Sequence, residues 1–143
     1  MKQLKQLHNE DLNLWLEEIA TAIKNKDFNN MDWDGLLEEI EDMTASQKRA
    51  LRSYTKRLIE HILKLQYWTI EKEYNQKGWR REVINFRNEV KEILEDSPSL
   101  RKYLQDNYAA WYKKSVNAMR QEFEIPDNNF IPLEIILEDD YFT

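Results

Sequence analysis

The sequence contains no cysteine. That removes a disulfide framework, a thiolate metal site and a cysteine nucleophile together. Two histidines, His8 and His61, are too few for a histidine-rich metal centre. Two glycines and three prolines leave little turn chemistry. This argues against an all-β chain of many short strands and suits long helices joined by short loops. No apolar run approaches the roughly 18 residues of a membrane span. The opening MKQLKQLHNEDL has no apolar segment of the signal-peptide kind, so a soluble, cytoplasmic protein is the expectation. A glycine-rich phosphate loop, a nucleophile elbow and paired zinc-ligand spacing are missing too.

What is present is a chain of 143 residues, 41% hydrophobic and 12% aromatic, enough for one domain (1–143) with a real core. The net charge of −6 conceals three blocks. Residues 1–45 carry 4 basic and 11 acidic side chains, residues 46–114 carry 16 and 9, and residues 115–143 carry 1 and 7. Such a chain can neutralise itself on folding or offer a basic face to an acidic partner.

Apolar periodicity sets the helices. Leu12, Trp15, Leu16, Ile19, Ala20 and Ile23 share one face of a first helix, with Asn9 as its cap, and the pattern fades in NKDFNN, residues 25–30. Asp32 caps a second helix. Its stripe runs through Leu36, Ile40, Met43, Gln47, Ala50, Tyr54, Leu58, His61, Leu65 and Trp68 without losing phase. One helix over residues 33–73 is expected, roughly 60 Å long, unbroken or bent at Thr44. A break follows at Asn75–Gly78. The third helix carries Trp79, Val83, Phe86, Val90, Ile93 and Leu94. Ser97 is its successor's expected N-cap, with Pro98 at the first helical position. The fourth carries Leu100, Tyr103, Leu104, Tyr108, Trp111, Met119 and Phe123, and Pro132 starts a short tail helix. The fold class is all-α: an antiparallel helical bundle of four main helices with a long central second helix and a short C-terminal helix.

Five stretches, LWLEEIATAIKNKDF (14–28), LLEEIEDM (36–43), LIEHILKLQY (58–67), WRREVINFR (79–87) and EDSPSLRKYL (95–104), carry a likeness in their order and spacing. Taken together, from about residue 10 onward, the chain resembles the bacterial domain-of-unknown-function family 29. Thr44 stands where many relatives would have glycine, which favours a continuous helix. The resemblance implies an all-helical fold and brings no activity with it.

On a wheel of the second helix, Glu38 and Glu41 point to solvent. Glu39, Arg57 and Lys64 lie on the shoulder of the apolar face, and His61 lies closer in. A half-dry charge needs a partner. Glu39 and Arg57 are roughly 27 Å apart on a straight helix, so they cannot satisfy each other within one chain. Carboxylates at Glu38, Glu39 and Asp42, with Glu89, Glu92 and Glu95 on the third helix, offer the oxygen ligands of a Mg²⁺- or Mn²⁺-dependent nucleotide pyrophosphatase. Arg57 and His61, one turn apart, outline a ribonuclease-like pair. Lys48, Arg49, Arg52, Lys56, Arg57, Arg80, Arg81 and Arg87 outline a nucleic-acid surface, opposed by a pI near 5.1. Acidic helix faces and lone histidines more often serve solvation and packing. The preferred reading is therefore a non-enzymatic protein–protein interaction or regulatory module with no catalytic residue, metal or cofactor. Neither membrane nor nucleic acid is an expected partner. The interaction candidates are Glu39, Arg57, His61, Lys64, Trp68, Trp79 and Arg87, and a homodimer pairs the second helix antiparallel with its copy, Glu39 meeting Arg57 or His61 near residue 48 or 50.

Overall fold

The computed structural model describes residues 3–142. Among them every regular element is helical: α1 (Leu4–Glu10), α2 (Leu12–Lys24), a 3₁₀ turn (Phe28–Asn30), α3 (Trp33–Tyr67), α4 (Thr69–Asp96), α5 (Leu100–Met119) and α6 (Leu133–Ile136). The residues group into two compact units, Met1–Ser46 and Gln47–Thr143.

In the first unit a small core of Leu7, Trp15 and Ile19 is flanked by Leu4, Met31 and Leu36. Asp11 ends α1 and caps α2, its carboxylate accepting from the Leu14 N–H at 3.0 Å. The helix α1 and this cap replace the expected start at Asn9, which lies inside α1. After α2 the chain turns on Lys26, whose φ of 56° is left-handed. The Asp27 N–H then reaches back to the Ala22 carbonyl at 2.8 Å and the Lys26 N–H to that of Ile23 at 3.0 Å, a Schellman closure with lysine in the position glycine usually fills. Asp32 caps α3 as expected, through a 3.0 Å bond from the Gly35 N–H.

In the second unit α3, α4 and α5 share one core. Leu51, Leu58, Ile62 and Leu65 come from α3, Val83, Val90 and Leu94 from α4, and Leu104, Tyr108 and Trp111 from α5. Ring contacts set the directions. Trp68 stacks on Trp79, His61 packs on Phe86, and Gln47 donates to Ser97, so α3 and α4 are antiparallel. Lys48 lies over Tyr103 and Trp68 against Phe123, so α5 runs parallel to α3. The C-terminal segment then runs back along α5. Tyr108 and Tyr112 donate their hydroxyls to the carbonyls of Ile131 and Asn129, and Leu133 and Ile136 of α6 are buried.

Two boundaries depart from the expected ones. The helical pattern is interrupted at Trp68, with φ −87° and ψ 68°, and runs on through Asn75 and Gly78. The Trp68 ring is stacked between Trp79 and Phe123, and packing of this kind outweighs the weak breaking tendency of one Gly and one Asn. Ser97 does not open α5. It closes α4, its hydroxyl receives the Gln47 amide at 3.1 Å, and α5 begins at Leu100 with Ser99 in the cap position. At Thr44 the helix is continuous, and the hydroxyl donates back to the Ile40 carbonyl at 3.1 Å instead of capping a new helix.

Candidate functional site

The acidic stretch of α3 is organised by a histidine 31 positions before Glu39. His8 of α1 packs on Trp15 with ring centroids 4.5 Å apart and the planes tilted by 43°. Its Nε2 is 2.7 Å from Glu39 Oε1, and its Nδ1 lies 3.9 Å from Glu38 Oε2. The two carboxylates bracket one imidazole. Beneath them, the Trp15 indole N–H donates to Asp32 Oδ2 at 3.1 Å while Asp32 Oδ1 holds the Gly35 N–H. A buried carboxylate is thus satisfied on both oxygens, as burial demands. Glu39 lies half-buried, as its shoulder position suggests, and finds its partner within the chain. Glu38, Glu41 and Asp42 are exposed. Among the described residues, no group of three or more His, Asp or Glu side chains converges in a way that would hold a metal ion.

The apolar stripe that precedes and follows these acids is uncovered at its first end. Trp33, Leu37, Ile40 and Met43, at i, i+4, i+7 and i+10 along α3, are 54%, 56%, 51% and 69% exposed. Every residue from Ile40 to Ser46 is exposed, so no side of those two turns is packed. Phe28 and Trp33 stand exposed together, 6.4 Å apart. Farther along the same helix Leu51, Leu58 and Leu65 are fully buried.

Arg57, His61 and Lys64 form a second constellation, in the other unit. The His61 ring packs on Phe86 at 5.3 Å, and the Arg57 guanidinium sits over the same ring at 5.9 Å. Lys64 lies over Trp79, also at 5.9 Å. His61 Nδ1 is 2.8 Å from the Arg57 carbonyl oxygen. A carbonyl only accepts, so Nδ1 carries the hydrogen, which leaves Nε2 as the lone-pair nitrogen of the neutral ring. Burial pulls the imidazole below its ordinary 6.5, against the lift from that backbone bond and from Glu82, and Lys64 and Arg57 add to the lowering. Burial raises the neighbouring Glu60 carboxyl, with Lys56, Lys64 and Arg57 opposing. Trp68 and Trp79 are half-buried in their stack, whereas Trp111 and Tyr112 lie in the core.

Arg87 has a different fate. It is 1% exposed. Its Nε donates to the Ile136 carbonyl at 3.0 Å, one terminal nitrogen to that of Asp139 at 3.2 Å, and the other to that of Tyr141. Lys91, one turn on, pairs with the Asp139 carboxylate, which this contact holds below the usual carboxylate range. The guanidinium is committed to fastening the C-terminal segment. The candidates therefore separate: Glu39 with His8 in one unit; Arg57, His61 and Lys64 around Phe86 and Trp79 in the other; Arg87 apart from both groups as an internal clamp. His8 and Phe86 were not singled out from the sequence. The signal for His8 was a half-dry glutamate without a partner in a chain with only two histidines.

The family model for Domain of unknown function DUF29 matches residues 7–142, and the chain belongs to that family. No curated protein and no solved structure matches it.

Proposed function

We propose that the chain is a non-enzymatic protein–protein interaction module that displays helix faces, and that a second copy of the chain covers the open face of α3. The observation that carries this reading is the bare stripe of Trp33, Leu37, Ile40 and Met43. Scattered apolar side chains are ordinary on a surface, but a contiguous row on one helix is typical of a face that meets another chain. The occupant follows from charge. Glu41 and Asp42 rim the stripe, and Arg49 and Arg52 are exposed farther along the same helix. Two copies of α3 laid antiparallel bring each acidic segment opposite the other's basic one. The aliphatic stems of the arginines then cover the apolar stripe. Such an isologous contact repeats every favourable pairing twice. Glu39 is held by His8 in its own chain, so the free charges, rather than Glu39, complete the contact.

Sedimentation of the full chain between low and high micromolar concentration tests this. A dimer is expected, weakened by salt because its exposed charges are screened. Met43→Asp should shift it to monomer. Glu41→Arg should weaken it, and adding Arg52→Glu should partly restore it. A chain that stays monomeric at high micromolar concentration refutes the reading.

A further inference from the structure

The Arg57–His61–Lys64 constellation is independent of that interface. We propose that His61 is a phosphoryl-acceptor site, taking a phosphoryl group on Nε2 from an activated donor of the acyl phosphate or phosphoramidate class.

The two histidines of the chain are in opposite situations. His8 has its Nε2 on Glu39 and its Nδ1 side toward Glu38, so an incoming anion meets two carboxylates there. His61 has its Nδ1 hydrogen fixed on the Arg57 carbonyl, and among the described residues nothing hydrogen-bonds its Nε2. A neutral imidazole whose tautomer is set by a backbone acceptor is a competent nitrogen nucleophile at neutral pH. Packing on Phe86 fixes the ring, and the same ring carries the Arg57 guanidinium. Two cations, Arg57 and Lys64, and one carboxylate, Glu82, act on the imidazole. Arg57 and Lys64 stand at i−4 and i+3 from His61 on α3, the spacing at which helical side chains are neighbours, so cations adjoin the imidazole on both sides and favour a dianionic group over a metal ion.

The step balances without a redox partner. The Nε2 lone pair forms the N–P bond. The bond from phosphorus to the leaving group breaks in line, and the electron pair departs with a carboxylate from an acyl phosphate or with ammonia from zwitterionic phosphoramidate. Nδ1 keeps its hydrogen on the Arg57 carbonyl during bond formation, so no proton has to move first. The Arg57 and Lys64 side chains, one turn to either side of His61 on α3, would swing from Phe86 and Trp79 to pair with the new phosphoryl oxygens.

The test uses the full chain and potassium phosphoramidate at neutral pH, followed by ³¹P NMR and peptide mass spectrometry. One acid-labile phosphoryl group is expected, on His61 and not on His8. His61→Gln should abolish it and His8→Gln should leave it. Arg57→Gln with Lys64→Gln should slow it on the order of tenfold, the effect of removing two partly screened charges. The same reaction on urea-unfolded chain supplies the intrinsic histidine rate, and folded His61 should exceed it. Equal labelling of the two histidines in the folded chain, a folded rate at or below the unfolded one, or an unchanged rate in the double variant would each overturn the proposal.

Discussion

Replacing Arg87 with methionine isolates the clamp on the C-terminal segment. The thioether keeps most of the buried aliphatic volume, so the cavity contribution is small. What is lost is a guanidinium that donates to the carbonyls of Ile136, Asp139 and Tyr141. The Ile136 bond is buried, so that acceptor is left without water or partner. The segment can re-solvate its more open end by peeling away. Against this, the variant no longer buries a charge, which favours it. Hydrogen bonds to charged groups contribute about 1.5–3 kcal/mol each, and an orphaned buried acceptor costs about 1–3 kcal/mol. After the relief of burying the charge, a net loss of about 3 kcal/mol is expected. For a chain of this size that lowers the melting temperature by roughly 10 °C. Hydrogen-exchange mass spectrometry should show the loss of protection concentrated in the segment from Ile125 to Tyr141, ahead of α4. Arg87→Lys should fall between, because one ammonium cannot span three carbonyls. A variant within about 1 kcal/mol of the parent, with tail protection unchanged, would refute the view that Arg87 holds the tail.

The two glycines make a paired test. A Cβ at Gly35 would lie 2.4 Å from Asp32 Oδ2 and 3.0 Å from Trp15 Cζ2, while at Gly78 it meets nothing within 4 Å. Gly35→Ala should therefore destabilise by about 1–3 kcal/mol through overpacking, and Gly78→Ala should stabilise by about 0.5–1 kcal/mol through helix propensity; chemical unfolding showing the same sign for both would contradict the geometry. The His61 imidazole is held below 6.5 in the folded chain, so the unfolded chain binds the proton more readily. Stability present above that pH should decline as pH falls through 6.5 toward the folded value. His61→Gln should flatten this part of the pH profile, and an unchanged slope in urea midpoints would show that the ring is not held neutral.

The sequence by itself determined the local regularities. Apolar residues recurring at helical spacing require helices wherever they occur. Asp32 before Trp33 and Pro132 before Leu133 marked starts because capping acts over three or four residues. The wheel alone put Glu39 on a half-dry shoulder and His61 near the apolar face, and both are half-buried. Tertiary structure decided who meets whom. Glu39 and His8 are 31 positions apart, and Arg87 lies 49 before its first carbonyl; no periodicity encodes such distances. It also moved the interruption to Trp68, where stacking between Trp79 and Phe123 outweighs the local signal of Asn75 and Gly78. The stripe of α3 shows the division most plainly. Ile40 and Met43 share phase with Leu58 and Leu65, yet the first pair is bare and the second fully buried. Phase along a helix is a local property of the backbone, whereas burial depends on which other element arrives to cover it.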